Sequence, residues 1–215
     1  MKLFLTSAEI VPEITGEFLE LLGKEPKNCR LVFVPTAADP EADKWFVKKD
    51  KERLVEIGFV IYEVDLKDQN KNSLVKIFKT ADVVFVAGGN TFYLLDLARK
   101  SGFDVAVKEF VERGGIYVGS SAGSMIAGLN IEAAHWEPPD TNTVGLKDLT
   151  AMGFVPLAIA PHYNNKIALA IKNAAMEVKY PVVALTDAQA VMVDGDKIKI
   201  IGLGEKIVFN NSIGL

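Results

Sequence analysis

The sequence predicts an α/β fold in which helices cover both faces of a mostly parallel β-sheet. Short segments that are apolar on both faces alternate along the chain with segments whose apolar residues recur at helical spacing. Strands that are apolar on both faces are typical of a parallel sheet buried between two layers of helices. Near the C-terminus, Asp194-Gly195-Asp196 lies between two short apolar segments and indicates a hairpin. We therefore expect antiparallel strands at one edge of the sheet.

The predicted elements extend over the whole chain. Strands are predicted at residues 3–5, 31–34, 59–64, 83–86, 116–118, 157–160, 182–186, 190–193 and 197–201. Helices are predicted at residues 10–22, 41–57, 74–78, 92–97 and 104–111. Gly23 and Gly58 directly follow the first two helices, where glycine commonly ends a helix. The chain has no internal repeat, low-complexity segment or linker, so one domain over residues 1–215 is expected.

Composition and charge exclude several classes of function. Hydrophobic residues make up 49% of the chain and charged residues 24%, which is typical of a soluble globular protein. The net charge is −4 and no face collects lysines and arginines, so nucleic acid is not an expected partner. The single cysteine, Cys29, excludes an intramolecular disulfide and suits a reducing compartment. No apolar run reaches the roughly 18 residues of a membrane span or resembles a signal peptide, so we expect a cytoplasmic protein without a membrane partner.

A candidate nucleophile follows the strand predicted at residues 116–118. Residues 119–123 have the sequence GSSAG, a G-x-S-x-G motif with Ser121 at its centre. On a sharp strand-to-helix turn, such a motif holds the central hydroxyl clear of the sheet, and its small neighbours keep the two chain segments from colliding. The same pattern also fits a tightly packed turn without chemistry, so the interpretation depends on what lies nearby.

Two further groups follow other strands of the predicted sheet. Residues 88–90, with the sequence GGN, come after the strand at 83–86, and His162 comes after the strand at 157–160. Ligands bind beyond the carboxyl ends of the strands in open α/β sheets. We therefore expect both groups to converge on Ser121.

Only two histidines are available to remove the proton of Ser121, which a serine nucleophile requires. His162 directly follows a strand, where an imidazole can face the site, and we expect it to be the base. His135 lies in a loop-like stretch, and we expect it to be a rim or surface residue.

A carboxylate has to orient the imidazole and stabilise its charge. The acids between Ser121 and His162 are Glu132, Glu137, Asp140 and Asp148. Glu137 and Asp140 flank a pair of prolines that stiffens the loop, but spacing alone does not choose between them.

Backbone amides are the expected oxyanion donors. The Ala122 amide directly follows the nucleophile, and Gly88 and Gly89 offer unobstructed amides at the end of another strand. The same segment also fits a tight turn in which Asn90 or Thr91 caps the next helix. The two interpretations are compatible, because a cap would fix the amides.

Neither a metal nor a cofactor is expected. No cysteines and histidines have the spacing of a metal site, and no glycine-rich phosphate-binding motif follows a strand. Cys29 precedes a strand rather than following one, which also argues against a catalytic cysteine.

The chain resembles the peptidase E family of serine peptidases, the α-aspartyl dipeptidases, and more distantly the cyanophycinases. The resemblance covers nearly the whole length and rests on four motifs. These are VPTA at 34–37, AGGNT at 87–91, GSSAG at 119–123 and PHY at 161–163. It implies a three-layer α/β/α sandwich similar to class I glutamine amidotransferases. It also implies a nucleophile at Ser121, a base at His162, and oxyanion amides at Gly89 and Ala122. The family's acid would be Glu137 first and Asp140 second.

Two positions depart from the family pattern. The family's aspartyl specificity implies an arginine beyond the catalytic histidine, but this chain has no arginine after Arg113. Lys166 is a nearby substitute, although lysine lacks the bidentate fork of arginine. Ala87 stands where the family has the first glycine of G-G-G-N. We expect Asn90 and Lys166 to contact the substrate.

The resemblance implies a serine peptidase that hydrolyses small peptides, dipeptides with an N-terminal aspartyl residue among them, through an acyl-enzyme. The alternatives are an esterase or amidase that acts on a non-peptide substrate, and a ligand-binding member that has lost turnover. We expect a small peptide as the partner and either a monomer or a homodimer.

Overall fold

The computed structural model describes all 215 residues. Its ten strands are β1 (Lys2–Thr6), β2 (Arg30–Val34), β3 (Val60–Glu63), β4 (Val83–Val86), β5 (Ile116–Ser120), β6 (Ala158–Ala160), β7 (Val182–Ala184), β8 (Gln189–Asp194), β9 (Lys197–Gly202) and β10 (Ile207–Phe209). Its seven α-helices are α1 (Pro12–Leu22), α2 (Trp45–Ile57), α3 (Lys71–Phe78), α4 (Thr91–Ser101), α5 (Phe103–Glu112), α6 (Ala122–Met125) and α7 (Ala168–Glu177). None of the helices combines the length and the apolar character needed to cross a lipid bilayer.

Seven strands form the central sheet, in the order β3-β2-β4-β5-β1-β8-β9. The five strands from β3 to β1 are parallel to one another. At the other edge, β8 runs antiparallel to β1 and forms a hairpin with β9. The mostly parallel sheet with an antiparallel edge, predicted from the sequence, is therefore confirmed.

Successive residues of the strands enter two separate hydrophobic cores. Leu3 and Leu5 of β1 pack into a core of 35 buried residues that includes the inner faces of α3, α4 and α5. Phe4, between them, packs into a core of 19 buried residues with α1 and α2. Because side chains of a strand alternate between the two faces of a sheet, this division places one layer of helices on each face. The fold is the expected three-layer sandwich.

Strands β6 and β7 do not join the central sheet. Together with β10 they form a separate three-stranded sheet, and α7 packs against it through Ile171 and Ala175. The expectation of a single sheet is wrong here, because a short apolar run predicts a strand but does not identify its neighbour. The sequence does not predict helix α7, since only those two of its ten residues are buried and its apolar pattern is weak.

The bounds of several elements also differ from the predicted ones. Helix α1 begins at Pro12 and α2 at Trp45, later than the apolar spacing indicated. Helix α3 begins earlier, at Lys71, because Asn70 and Ser73 form a capping box in which each side chain bonds the other's backbone amide.

Candidate active site

The G-x-S-x-G motif forms the connection between β5 and α6, with Ser121 at its apex. The backbone of Ser121 has φ 48° and ψ −107°, a strained conformation for a residue with a side chain. A Cβ on Gly119 would lie 2.5 Å from the carbonyl carbon of Gly123, and one on Gly123 would lie 2.2 Å from the carbonyl oxygen of Val86. Only glycine fits at either position, so the sequence motif is what allows the chain to turn this sharply.

Buried hydrogen bonds fix this turn. The Ser121 amide donates to the carbonyl oxygen of Thr6 over 3.1 Å. The Ser124 hydroxyl lies 2.7 Å from the same oxygen, and the Tyr117 hydroxyl donates to the carbonyl of Gly123 over 2.6 Å. Tyr117 and Ser124 are fully buried. The backbone that carries the Ser121 hydroxyl is thus fixed before any ligand binds.

His162 contacts Ser121 through its ring. Its Nε2 atom lies 2.9 Å from the Ser121 Oγ atom. The backbone of His162 has a φ of 59°, and its amide donates a 2.7 Å hydrogen bond to the Ser7 hydroxyl. The structure therefore brings together the two residues that the sequence proposed as nucleophile and base, although their strands belong to different sheets.

Asp187 is the carboxylate that contacts His162. Its Oδ1 atom lies 2.8 Å from His162 Nδ1 and accepts a second hydrogen bond of 2.8 Å from the Ser7 hydroxyl. A carboxylate only accepts, so Nδ1 carries the proton and Nε2 is left to accept from Ser121. The hydrogen bond from His162 is the largest influence that holds the pKa of Asp187 below its ordinary value.

The expectation of Glu137 or Asp140 in this position is wrong. Glu137 lines the cavity but makes no hydrogen bond to His162. The Asp140 carboxylate accepts a 2.8 Å hydrogen bond from the amide of Thr91, at the first turn of α4. Asp187 lies after His162 in the chain, outside the segment between Ser121 and His162 that contains the predicted acids. The sequence does carry a sign of this role, because Asp187 directly follows the strand predicted at 182–186, as His162 follows its own strand.

Gly88 and Gly89 form the turn after β4, directly beside the nucleophile. A Cβ on Gly88 would lie 3.3 Å from the Ser121 Cβ, and one on Gly89, whose φ is 134°, would lie 2.3 Å from the carbonyl oxygen of Ala37. Neither amide donates a hydrogen bond within the protein. Ala122 is the first residue of α6, where an amide has no partner inside the helix. These amides are therefore available to an acceptor that is not part of the chain.

A cavity of about 530 Å³ opens beside Ser121 and His162. Neither expected substrate contact lines it. Asn90 is buried, accepts from the Tyr93 amide as the cap of α4 and donates to the Thr141 carbonyl, so both ends of its side chain are occupied. Lys166 is exposed and lies outside the cavity wall. Both side chains thus lie away from the cavity wall in this structure, and their contact with a substrate stays a prediction.

His135 also lies outside the cavity wall, as an exposed residue whose ring packs 4.6 Å from that of Phe92. No three side chains of histidine, cysteine, aspartate or glutamate are grouped closely enough to hold a metal ion.

These features define the protein as a serine-type hydrolase. Ser121 lies on a strained strand-to-helix turn, the His162 ring lies 2.9 Å from its hydroxyl, and two backbone amides without partners lie at the end of the neighbouring strand. The chain belongs to peptidase family S51, whose model matches residues 3–201. It is thus a serine-type peptidase, and the resemblance to peptidase E is confirmed.

Individual relatives agree with this assignment. An uncharacterized peptidase of Listeria monocytogenes is 32% identical over 165 residues, which cover 76% of this chain and 78% of its own length. Peptidase E of Shewanella amazonensis is 28% identical over 211 residues, covering 94% of this chain and 86% of its own length. The crystal structure of a candidate peptidase E from Listeria monocytogenes superposes with a TM-score of 0.83 and 25% identity, over 94% of this chain and 98% of the other.

Proposed function

We propose that this peptidase hydrolyses small peptides through an acyl-enzyme on Ser121, with His162 as general base and Asp187 as the carboxylate that orients it. The observation that supports the proposal is the unbroken series of contacts from Ser121 to His162 at 2.9 Å and from His162 to Asp187 at 2.8 Å. That order of nucleophile, imidazole and acid is the one used for acyl transfer by serine hydrolases on several unrelated folds.

In the proposed mechanism, His162 Nε2 takes the Ser121 proton as Oγ attacks the scissile carbonyl carbon. The negative charge that develops on the carbonyl oxygen is stabilised by the amides of Gly89 and Ala122, with Gly88 adjoining them. Collapse of this intermediate breaks the C–N bond, and His162 gives its proton to the leaving amine. His162 then takes a proton from water, the hydroxide attacks the acyl carbon, and Ser121 recovers its proton as the acid product leaves.

The size of the cavity supports a small substrate. A volume of about 530 Å³ lies within the range of roughly 300–1,000 Å³ that is usual for small-molecule sites. Aspartyl specificity, which the family would imply, has less support, because no arginine lines the cavity.

The proposal is tested by replacing Ser121 with alanine and assaying release of amino acids from a dipeptide library. We expect kcat/KM to fall by at least about 10³-fold, because the covalent step is lost. Ser120→Ala is the matched control: its hydroxyl donates to the Ala8 carbonyl and makes no hydrogen bond to His162, so activity should be retained. Full activity in Ser121→Ala, or labelling of another serine by a fluorophosphonate, would contradict the proposal.

A further inference from the structure

Asp50 is a buried acid that has no partner in the protein. It lies on α2, is only 4% exposed, and lines the cavity beside Ser121. No hydrogen bond or ion pair reaches its carboxyl group, whereas every side-chain polar atom that is fully shielded from solvent has a hydrogen-bond partner. The Asp50 oxygens are therefore directed into the cavity, where they face solvent or a ligand.

The neighbouring cations are already engaged elsewhere. Lys49 forms a 2.7 Å ion pair with Glu9 rather than with Asp50. Arg53, one turn along α2, donates to the carbonyl of Ile10 and to the hydroxyl of Thr15. Burial, together with the charge of Glu9, raises the pKa of Asp50 to about 8. A cation beside Asp50 would reverse this effect by stabilising the ionised carboxylate.

The cavity as a whole is acidic. Six carboxylates line it, against one lysine and one histidine and no arginine; the acids are Glu9, Glu41, Asp50, Glu137, Asp140 and Asp187. An anionic substrate side chain would be repelled by the acids of this wall that are ionised. A cationic one would be attracted to them and would favour ionisation of Asp50.

The wall near Asp50 is also apolar in part. Phe46 lies one helical turn before Asp50 and therefore on the same face of α2, and Trp45 and Val11 line the same cavity. Apolar side chains next to a buried carboxylate suit an alkyl chain that ends in a positive charge.

We propose that Asp50 and Glu9 form a subsite for a cationic group of the substrate, supplied by a basic side chain or by a free N-terminal amine. The inference rests on the proposed function, in that it takes the cavity to be the peptide-binding site. It assigns the enzyme a preference for substrates that carry an ammonium group over matched neutral ones.

Binding of three probes to the Ser121→Ala protein, in which no acyl-enzyme forms, tests the subsite. N-acetyl-lysinamide carries only a side-chain ammonium, norleucinamide carries only an α-ammonium, and N-acetyl-norleucinamide carries neither. By titration calorimetry, at least one ammonium probe should bind about tenfold or more tightly than the neutral probe. The probe that does so identifies the source of the cation.

Asp50→Asn, introduced into the same protein, should abolish that preference, because it removes the group that ionises beside a bound cation and keeps the shape. Glu41→Gln is the matched control, since it removes one charge from a less buried part of the wall and should change the preference less than about threefold. Equal binding of all three probes, no binding at all, or a preference that survives in Asp50→Asn would each overturn the subsite. If circular dichroism shows that Asp50→Asn does not fold, Glu9→Gln is used instead. A preference for the ammonium probe that is unchanged in Glu9→Gln would likewise overturn the subsite.

Hydrolysis is measured separately on the unmodified protein, with dipeptides that begin with lysine, norleucine or aspartate. Failure to cleave any of them would contradict the proposed function, while the probe titrations would still report on the subsite. All three dipeptides carry the same α-ammonium group, so their comparison reports on the side chain alone. Preferential cleavage of the aspartyl dipeptide would overturn a basic side chain as the source of the cation and leave the proposed function standing.

Discussion

The Ser7 hydroxyl donates a 2.8 Å hydrogen bond to Asp187. The same oxygen accepts a 2.7 Å hydrogen bond from the backbone amide of His162. Ser7 directly follows β1 and is fully buried. One rigid side chain thus joins the backbone of the histidine to the carboxylate that its ring contacts.

Ser7→Ala should therefore lower kcat by about tenfold and leave KM nearly unchanged. The loss arises because Asp187 and His162 are no longer held in register, while the substrate-binding walls are intact. Steady-state kinetics on one dipeptide substrate measure both constants. A rise in KM at constant kcat would show instead that Ser7 acts on substrate binding.

Asp187→Asn should lower kcat by about 10²- to 10⁴-fold, because an amide can present its NH₂ group to Nδ1 and so favour the wrong imidazole tautomer. The matched variant Glu137→Gln should stay within about threefold of the unmodified enzyme, since Glu137 makes no hydrogen bond to His162. Equal losses in the two variants would contradict the assignment of Asp187.

The central sheet could be predicted from the sequence because its strands carry their own signal. Each of β2, β4 and β5 contains an uninterrupted apolar segment, at residues 31–34, 83–86 and 116–118, and the alternating helices allow few other arrangements. The small sheet of β6, β7 and β10 could not be separated from it in the same way. Pairing depends on contacts between distant segments, and β6 is only three residues long.

In the site, Ser121 could be predicted because it lies in a distinctive motif, and His162 because the chain has only two histidines. The acid could not be chosen by residue type, since the chain has 28 aspartates and glutamates. Asp187 reaches His162 because β8, which begins two residues later, pairs with β1 and brings Asp187 next to Ser7. An asparagine after a glycine pair fits a helix cap and a substrate contact equally well, and the structure shows that Asn90 caps α4.

Gly123→Ala should destabilise the protein by about 2–4 kcal/mol, because its Cβ would lie 2.2 Å from the carbonyl oxygen of Val86 and the backbone would have to move. Gly16→Ala is the opposite case. It lies within α1, is exposed and has no atom within 4 Å of the added Cβ, so it should stabilise the protein by about 0.5–1 kcal/mol. Chemical denaturation of both variants measures the difference, and changes of the same sign would contradict the geometry at Gly123.

The stability of the protein should fall between pH 5 and pH 8 because of Asp50. Its pKa is about 8 in the folded protein against an ordinary 3.8, so in this range the folded state retains a proton that the unfolded state has lost. The free energy of unfolding then decreases with rising pH, by at most about 1.4 kcal/mol per pH unit for one proton. The side chain in Asp50→Asn does not titrate, so its free energy of unfolding should depend less on pH. Between pH 5 and pH 8 it should decrease by about 1–4 kcal/mol less than that of the unmodified protein. Urea denaturation of both proteins at intervals of half a pH unit measures this difference. Parallel profiles would show that Asp50 is already ionised in the folded protein at neutral pH.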